Sequence, residues 1–515
     1  MRMTRAEAAR EALRWVTDAA VPVPGGLAWP ETRQPDGRVS DDLYDGTAGV
    51  LMALAGARLS GIADFDAFAA GAVGRLSYLG GADPAGDGTP DAGDPANPPP
   101  DPRRAELYIG LAGYPVALRA WAAAAGDQAA AATADQTIAW LAGLVEPDQP
   151  VSAIRDLIIG EAGILLALVT MDAGPSAAEA AARAANWIAD RLLADAQWPD
   201  GEPGGPDWVM GGGYEYLMPN FSHGAAGIGF ALATASGPLG RPDLLDLAAA
   251  AGRRLERLGR RMDGTLTVPV TIPQRPHAEP VSYGWCHGAA GTSRLFTLLE
   301  RLQPGEGWAG CAAASRAGIR ASGLPARLWP GFWDNLGQCC GTAGVGELAL
   351  DHYQDTGDQD WLGFADVLAA DVLARAIADG AGVRWSHTEY RISPPELEPY
   401  VGWMQGAAGI AGFLLRLDRL HRDGPAAPRL PWPDRPPAPG LNPIDVTSLR
   451  IEESDVTSIA FSGCRTRRGG ATRRRSRCGR AGPGRAAGTC PRCRRGRGCT
   501  PSRCGRRRRP PARRR

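Results

Sequence analysis

A four-residue pattern, Gly-x-Ala-Gly followed by an apolar run, recurs seven times, and no other feature of the sequence restricts the fold as much. The copies begin at Gly46, Gly110, Gly160, Gly224, Gly288, Gly341 and Gly406, spaced 64, 50, 64, 64, 53 and 65 residues apart. One such tetrapeptide in an Ala/Gly-rich chain is chance. Seven at near-constant spacing identify a repeat protein, in which each unit buries its apolar face against its neighbours.

Each unit has room for two helices. Every motif leads into an apolar helical run, such as Ile164–Val169, Ile228–Ala233 or Ile410–Leu415, and amphipathic Ala-rich stretches such as Ala177–Leu193 and Leu244–Leu258 lie between motifs. Strand signals are weak throughout. The period exceeds that of the common two-helix solenoids, so the spacing predicts an all-α fold: an α/α toroid, or double-layered α-barrel, of seven helix pairs. Glycine at each helix entrance is expected to adopt φ > 0 and to permit close approach of neighbouring chains. The free N–H groups of those entrances would face one end of the toroid, where a site is to be sought; the alternative is that the glycines serve helix packing alone.

Charge divides the chain. The 56 basic residues are all Arg and equal the 56 acidic ones, yet 21 of the Arg lie between Cys464 and Arg515, a stretch without Asp or Glu. Residues 1–423 are therefore read as the toroid, 424–463 as a Pro-rich linker and 464–515 as a disordered Arg/Gly/Cys-rich tail. The tail holds Cys490-Pro-Arg-Cys493 with Cys499 and Cys504, a superficial zinc-knuckle spacing, but almost no apolar residues to pack around a metal and no aromatic to stack on bases. Arg, Gly, Pro, Ala and Cys are what GC-rich DNA encodes out of frame, so the tail is read as a frame error or a vestigial extension, and no nucleic-acid partner is expected. No apolar run is long enough to span a bilayer, and the N-terminal MRMTRAEAAREALRW is a charged amphipathic helix without a signal-peptide core. A cytoplasmic location is the expectation.

Three cysteines stand at repeat entrances: Cys286 in Gly-Trp-Cys-His-Gly288, and Cys339 with Cys340 in Gln-Cys-Cys-Gly341. Three thiols converging from neighbouring repeats five and six suit a tetrahedral zinc whose fourth position is open, the arrangement of a catalytic site. The competing reading is three buried apolar cysteines, as expected for Cys311 in its Ala-rich surroundings.

With these residues in hand, the chain resembles the LanC-type lanthionine cyclases. The resemblance rests on the GxAG repeats, a Trp-Cys-x-Gly entrance followed by a Cys-x-Gly entrance, and an earlier Ser-His-Gly-x-Ala-Gly entrance, and it covers roughly residues 35–420. It implies a seven-repeat α/α toroid with one zinc, held here by Cys286, Cys339 and Cys340, where the usual Cys-His-Gly entrance has a third cysteine in place of histidine. The same substitution occurs in the cyclase domains of some fused lanthipeptide synthetases. The implied reaction is addition of a peptide Cys thiol across the double bond of dehydroalanine or dehydrobutyrine, forming a thioether ring. A free thiol is mostly protonated at neutral pH and a zinc-bound one is not. Four thiolates around one zinc give a loaded site a formal charge of about −2, which favours a reactive sulfur. The family's proton carrier matches His223, suited to exchange near neutral pH, and its acidic residue of the third entrance matches Asp156, whose other reading is a helix N-cap.

Several residues receive lesser roles. His287 competes weakly as a ligand, Glu161 and the Asp41-Asp42 pair read as solvated helix-start carboxylates, and Trp285, Trp333 and Trp403 either wall a peptide groove or belong to the core. Residues 81–103 read as a long surface loop. The expected partners are a dehydrated, leader-bearing precursor peptide and a separate dehydratase. The rivals are a LanC-like glutathione transferase acting on dehydroamino acids, a toroidal glycosidase built on a carboxylate pair, and a non-catalytic peptide-binding scaffold with a structural zinc.

Overall fold

Inner and outer helices alternate along the chain because apolar and amphipathic segments alternate. The computed structural model describes residues 3–35, 37–80, 104–171, 173–199, 204–210, 216–276, 279–326, 335–388 and 396–435, all within one compact unit, Met1–Arg450. Its helices are α1 Arg5–Thr17, α2 Thr47–Leu59, α3 Asp66–Gly80, α4 Tyr114–Ala125, α5 Gln128–Leu144, α6 Glu161–Thr170 and α7 Gly174–Ala194. They continue as α8 Ala225–Ser236, α9 Pro242–Leu258, α10 Ala289–Leu302, α11 Trp308–Ala321, α12 Thr342–Thr356, α13 Gln359–Ala374 and α14 Ala407–Asp423. Each even-numbered helix starts at a repeat motif, α4 after a short 3-10 turn at Leu111–Gly113.

Burial separates the two layers. Every residue of α8 is buried, as the inner ring requires, whereas α9 buries Leu244, Ala248, Ala251, Gly252, Arg254 and Leu255 and leaves its other residues partly or fully exposed. Each inner helix from α2 to α12 packs on the outer helix that follows it, and α14 packs both on α2 and on α1. The N-terminal helix is thus the seventh outer helix, and it closes the ring. Thr4 and Glu7 form a capping box at its start, and Ala8, Ala9, Ala12, Leu13 and Val16 are fully buried. Among the described residues the strands are short and form one three-stranded sheet and three two-stranded pairs, and three tryptophans, Trp29, Trp208 and Trp385, donate indole N–H bonds of 2.8–2.9 Å to late carbonyls of α1, α7 and α13.

A ring of backbone hydrogen bonds links all seven repeats just before the inner helices begin. Tyr44 N–H donates to the Tyr108 carbonyl (2.8 Å), Tyr108 to Ile158 (3.3 Å), Leu157 to Ser222 (3.2 Å) and Ser222 to Cys286 (2.9 Å). Cys286 then donates to Cys339 (3.1 Å), Cys339 to Met404 (2.8 Å), and Met404 back to Tyr44 (2.8 Å).

The motif glycines differ from the sequence expectation. All seven first glycines have negative φ, from −104° at Gly46 to −152° at Gly224, so left-handed backbone is not their purpose. Close approach is. A Cβ on Gly341 would stand 2.3 Å from the Asn335 carbonyl oxygen and one on Gly344 1.9 Å from that of Gln338. The helix-start N–H groups are also not free: Thr342, Ala343 and Gly344 donate to the carbonyls of Asn335, Leu336 and Gly337. The entrance loop folds back to cap its own helix, and only glycine leaves room for it.

Ring closure by α1 yields a measurable expectation. Leu13→Ala should lower stability by about 2–5 kcal/mol, as for a core leucine, read as a shift of the urea midpoint. A peripheral N-terminal helix would give a change within about 0.5 kcal/mol.

Candidate functional site

The entrance residues converge at the N-terminal ends of the inner helices. Cys286, Cys339 and Cys340 come together there, with Cys286 Sγ 3.3 Å from Cys340 Sγ, Cys340 Sγ 3.5 Å from Cys339 Sγ, and all three sulfurs within 4.8 Å of one another. Cys286 and Cys339 are buried and Cys340 is partly exposed, so the cluster opens to one side. Two consecutive links of the backbone ring, Cys286 to Cys339 and Cys339 to Met404, fix the backbone at these positions.

The donor set fits a soft divalent cation. Sulfur ligands of a tetrahedral zinc lie about 3.8 Å apart, given Zn–S bonds of about 2.3 Å, so the thiols need little movement to hold one. Protonation within the cluster is uneven. Hydrogen bonding with Cys286, and next with Cys339, holds the Cys340 thiol well below its ordinary value, while bonds to Cys339 and Cys340, with burial, push Cys286 well above. Among the described residues no other group of His, Cys, Asp and Glu gathers in a metal-binding arrangement. Cys311 lies apart on α11, buried and in contact with the Arg261 guanidinium at 3.1 Å.

His223 and Asp156 are bonded across neighbouring repeats, with Nδ1 and Oδ2 2.6 Å apart. Asp156 is 1% exposed, and its other oxygen accepts from the Ile159 N–H at 2.7 Å. Asp156 is therefore no helix N-cap, since Gly160 holds that position in α6. A carboxylate facing Nδ1 requires a proton on that nitrogen and leaves Nε2 for exchange. The His287 ring lies 5.4 Å from that of His223, and a proton on it would lower the pKa of the Cys340 thiol. It is not among the clustered ligand atoms.

Two carboxylate assignments are overturned. Asp41 is 2% exposed and paired with Arg75 at 2.8 Å, and Glu161 is fully buried between Arg191 at 2.7 Å and Arg155 at 3.3 Å. Asp42 accepts hydrogen bonds from Ser40 and from the Asp45 and Gly46 N–H groups. Asp41 and Glu161 thus tie entrance loops to outer helices instead of meeting solvent, while Asp42, partly exposed, holds its own loop together. Trp285 and Trp403 are core residues, 4% and 5% exposed. Trp333, residues 81–103 and the tail cysteines lie outside the described residues.

Three further residues without a motif signature surround the sulfurs. Gln405 Nε2 donates to Tyr44 Oη at 2.9 Å and toward Cys340 Sγ at 3.6 Å, while its Oε1 accepts from Asn335 Nδ2 at 3.2 Å, which sets the amide's orientation. Burial, followed by the neighbouring Cys339 and Cys340, pushes the Tyr44 phenol well above its ordinary value, so it remains a hydroxyl. The available signal was position: Gln405 precedes the motif glycine of repeat seven as Cys340 does in repeat six.

Among solved structures, the chain is similar to nisin cyclase (14% identity, 61% of this chain and 76% of that one, TM-score 0.42). It is also similar to a GH76 alpha-mannanase from Bacteroides thetaiotaomicron (12% identity, 81% and 96%, TM-score 0.43) and to an unsaturated glucuronyl hydrolase specific for heparin (12% identity, 81% and 97%, TM-score 0.41). No curated protein matches the sequence. Among the described residues no helix is long and apolar enough to cross a membrane. The family model for lanthionine synthetase C-like protein matches residues 37–424, and with its α/α toroid and Gly-x-Ala-Gly entrances the chain belongs to that family.

Proposed function

We propose that this protein is a zinc-dependent lanthipeptide cyclase, which joins peptide Cys thiols to dehydroalanine or dehydrobutyrine of the same peptide as thioether rings. The observation that carries this reading is one mouth holding three clustered thiols and a His–Asp pair. Cys286, Cys339 and Cys340 would hold zinc and leave one position open. Zinc bound there would keep an incoming thiol deprotonated at neutral pH.

The remaining chemistry belongs to side chains. Ring formation makes a C–S bond at the β-carbon of the dehydro residue, shifts the π pair toward the neighbouring carbonyl and requires a proton at the α-carbon. The thiol gives up one proton and the α-carbon gains one, so the peptide keeps its mass. His223 is assigned as the proton carrier, and Asp156 fixes its tautomer through the 2.6 Å bond. The substrate is a dehydrated, leader-bearing peptide supplied by a separate dehydratase, and the reaction is placed in the cytoplasm.

Zinc-loaded full-length protein with a dehydrated precursor should give product of unchanged mass whose thiols no longer react with an alkylating agent. A mass increase with glutathione and no ring closure would replace this reading with a glutathione transferase. His223→Ala should slow ring closure roughly 100-fold to 10,000-fold at unchanged zinc content, and Asp156→Asn should act in the same direction. Cys340→Ala should lower zinc content itself, measured by elemental analysis. Cys340→His should keep the metal but slow addition, because a neutral imidazole donates less electron density than a thiolate; an equal or faster rate would contradict this account.

A further inference from the structure

The segment after α14 starts at the surface and turns inward. Leaving Asp423, residues 425–435 return to the ring: Gln354 donates to the Pro425 and Ala427 carbonyls at 3.2 and 2.9 Å, and Arg429 pairs with Asp355 at 2.7 Å. Trp432 then lies against Tyr108 and Trp403, with ring centroids 6.1 and 5.7 Å away. Arg435 bonds Glu347 at 2.7 Å, within a buried ion cluster where Arg416 joins Glu347 and Asp351, and Arg294 meets Asp351 at 3.1 Å.

Within this segment, Asp434 is bonded to the residue that precedes Cys286. It is fully buried, and its Oδ2 accepts two hydrogen bonds, from Tyr108 Oη at 2.7 Å and from Trp285 Nε1 at 2.8 Å. Trp285 directly precedes Cys286, and Tyr108 precedes the motif glycine of repeat two by two residues, as Cys286 does in repeat five. Packing alone would favour an apolar side chain here, because Asp434 Oδ1 is buried without a hydrogen-bond partner in the protein, at a cost of about 1–3 kcal/mol. The directed pair of bonds on Oδ2 accounts for a carboxylate at this point.

We propose that Asp434 is a positioning residue for the metal site: the inserted segment 430–435 fills the interior of the ring and, through the Trp285 indole, holds the Cys286 entrance in ligand geometry. This rests on the reading of the three cysteines as a zinc site. The functional body then extends through Arg435, beyond the end of α14.

The test is zinc affinity of the full-length protein, by competition with a chromophoric chelator, alongside circular dichroism. Asp434→Leu removes the acceptor and should weaken zinc binding about tenfold or more. Asp434→Asn keeps an acceptor oxygen and should stay close to the parent. Trp285→Phe removes the donor and should match Asp434→Leu, and the double variant should be no worse than either single one. Folded Asp434→Leu and Trp285→Phe proteins with unchanged zinc affinity would overturn the proposal while leaving the cyclase reading intact. Weakened affinity in a protein that closes no rings would do the reverse, and a parent protein that takes up no zinc would sink both.

Discussion

The seven backbone hydrogen bonds that run from Tyr44 around to Met404 and back are the constraint on which the rest of the molecule depends. They tie each entrance to the next and define one plane at the head of the inner ring. For those bonds to form, each entrance loop must fold tightly onto its own helix, which explains two glycines per motif. A methyl group at Gly344 would meet the Gln338 carbonyl at 1.9 Å and displace the loop that carries Cys339 and Cys340. The repeat is therefore a requirement of ring closure before it is a requirement of helix packing.

The proposed site uses the same links. Cys286 and Cys339 donate and accept within the ring itself, so their sulfurs start from backbone positions that closure has already fixed. His223 follows Ser222, another link, and reaches Asp156 on the preceding entrance. Chemistry assembled from four successive repeats needs no element beyond what the toroid needs to exist. Rigid placement of this kind is what a metal centre and a proton carrier require of their support.

The parts that were legible in the sequence are those that repeat or that carry rare side chains. Seven motifs at near-constant spacing point to the toroid, and cysteine and histidine beside motif glycines single out Cys286, Cys339, Cys340 and His223. Pairings remote in sequence left no local trace. α1 resembles any charged amphipathic helix, and its partner α14 lies some 400 residues away. Asp41 and Glu161 looked solvated because their arginines, Arg75 and Arg191, sit on outer helices 34 and 30 residues later. Gln405 and Tyr44 lack a chemical signature, and Pro-rich composition concealed the insertion of Trp432 and Asp434.

Charge explains how the interior is arranged. A three-thiolate site carries more negative charge than one with a histidine ligand, and a cation beside it would neutralise the sulfur's reactivity. Two neutral groups lie beside the sulfurs, the Gln405 amide, which turns toward Cys340, and the Tyr44 phenol, which burial keeps protonated. Arginine is kept deeper. Arg294 and Arg416 lie six and ten residues beyond their motif glycines, about 9 and 15 Å down the helix axis, and both are bound to Asp351. Asp434 joins that ion cluster to the site, because its carbonyl accepts from Arg294 at 3.3 Å and its Oδ2 accepts from the indole of Trp285, the residue before Cys286.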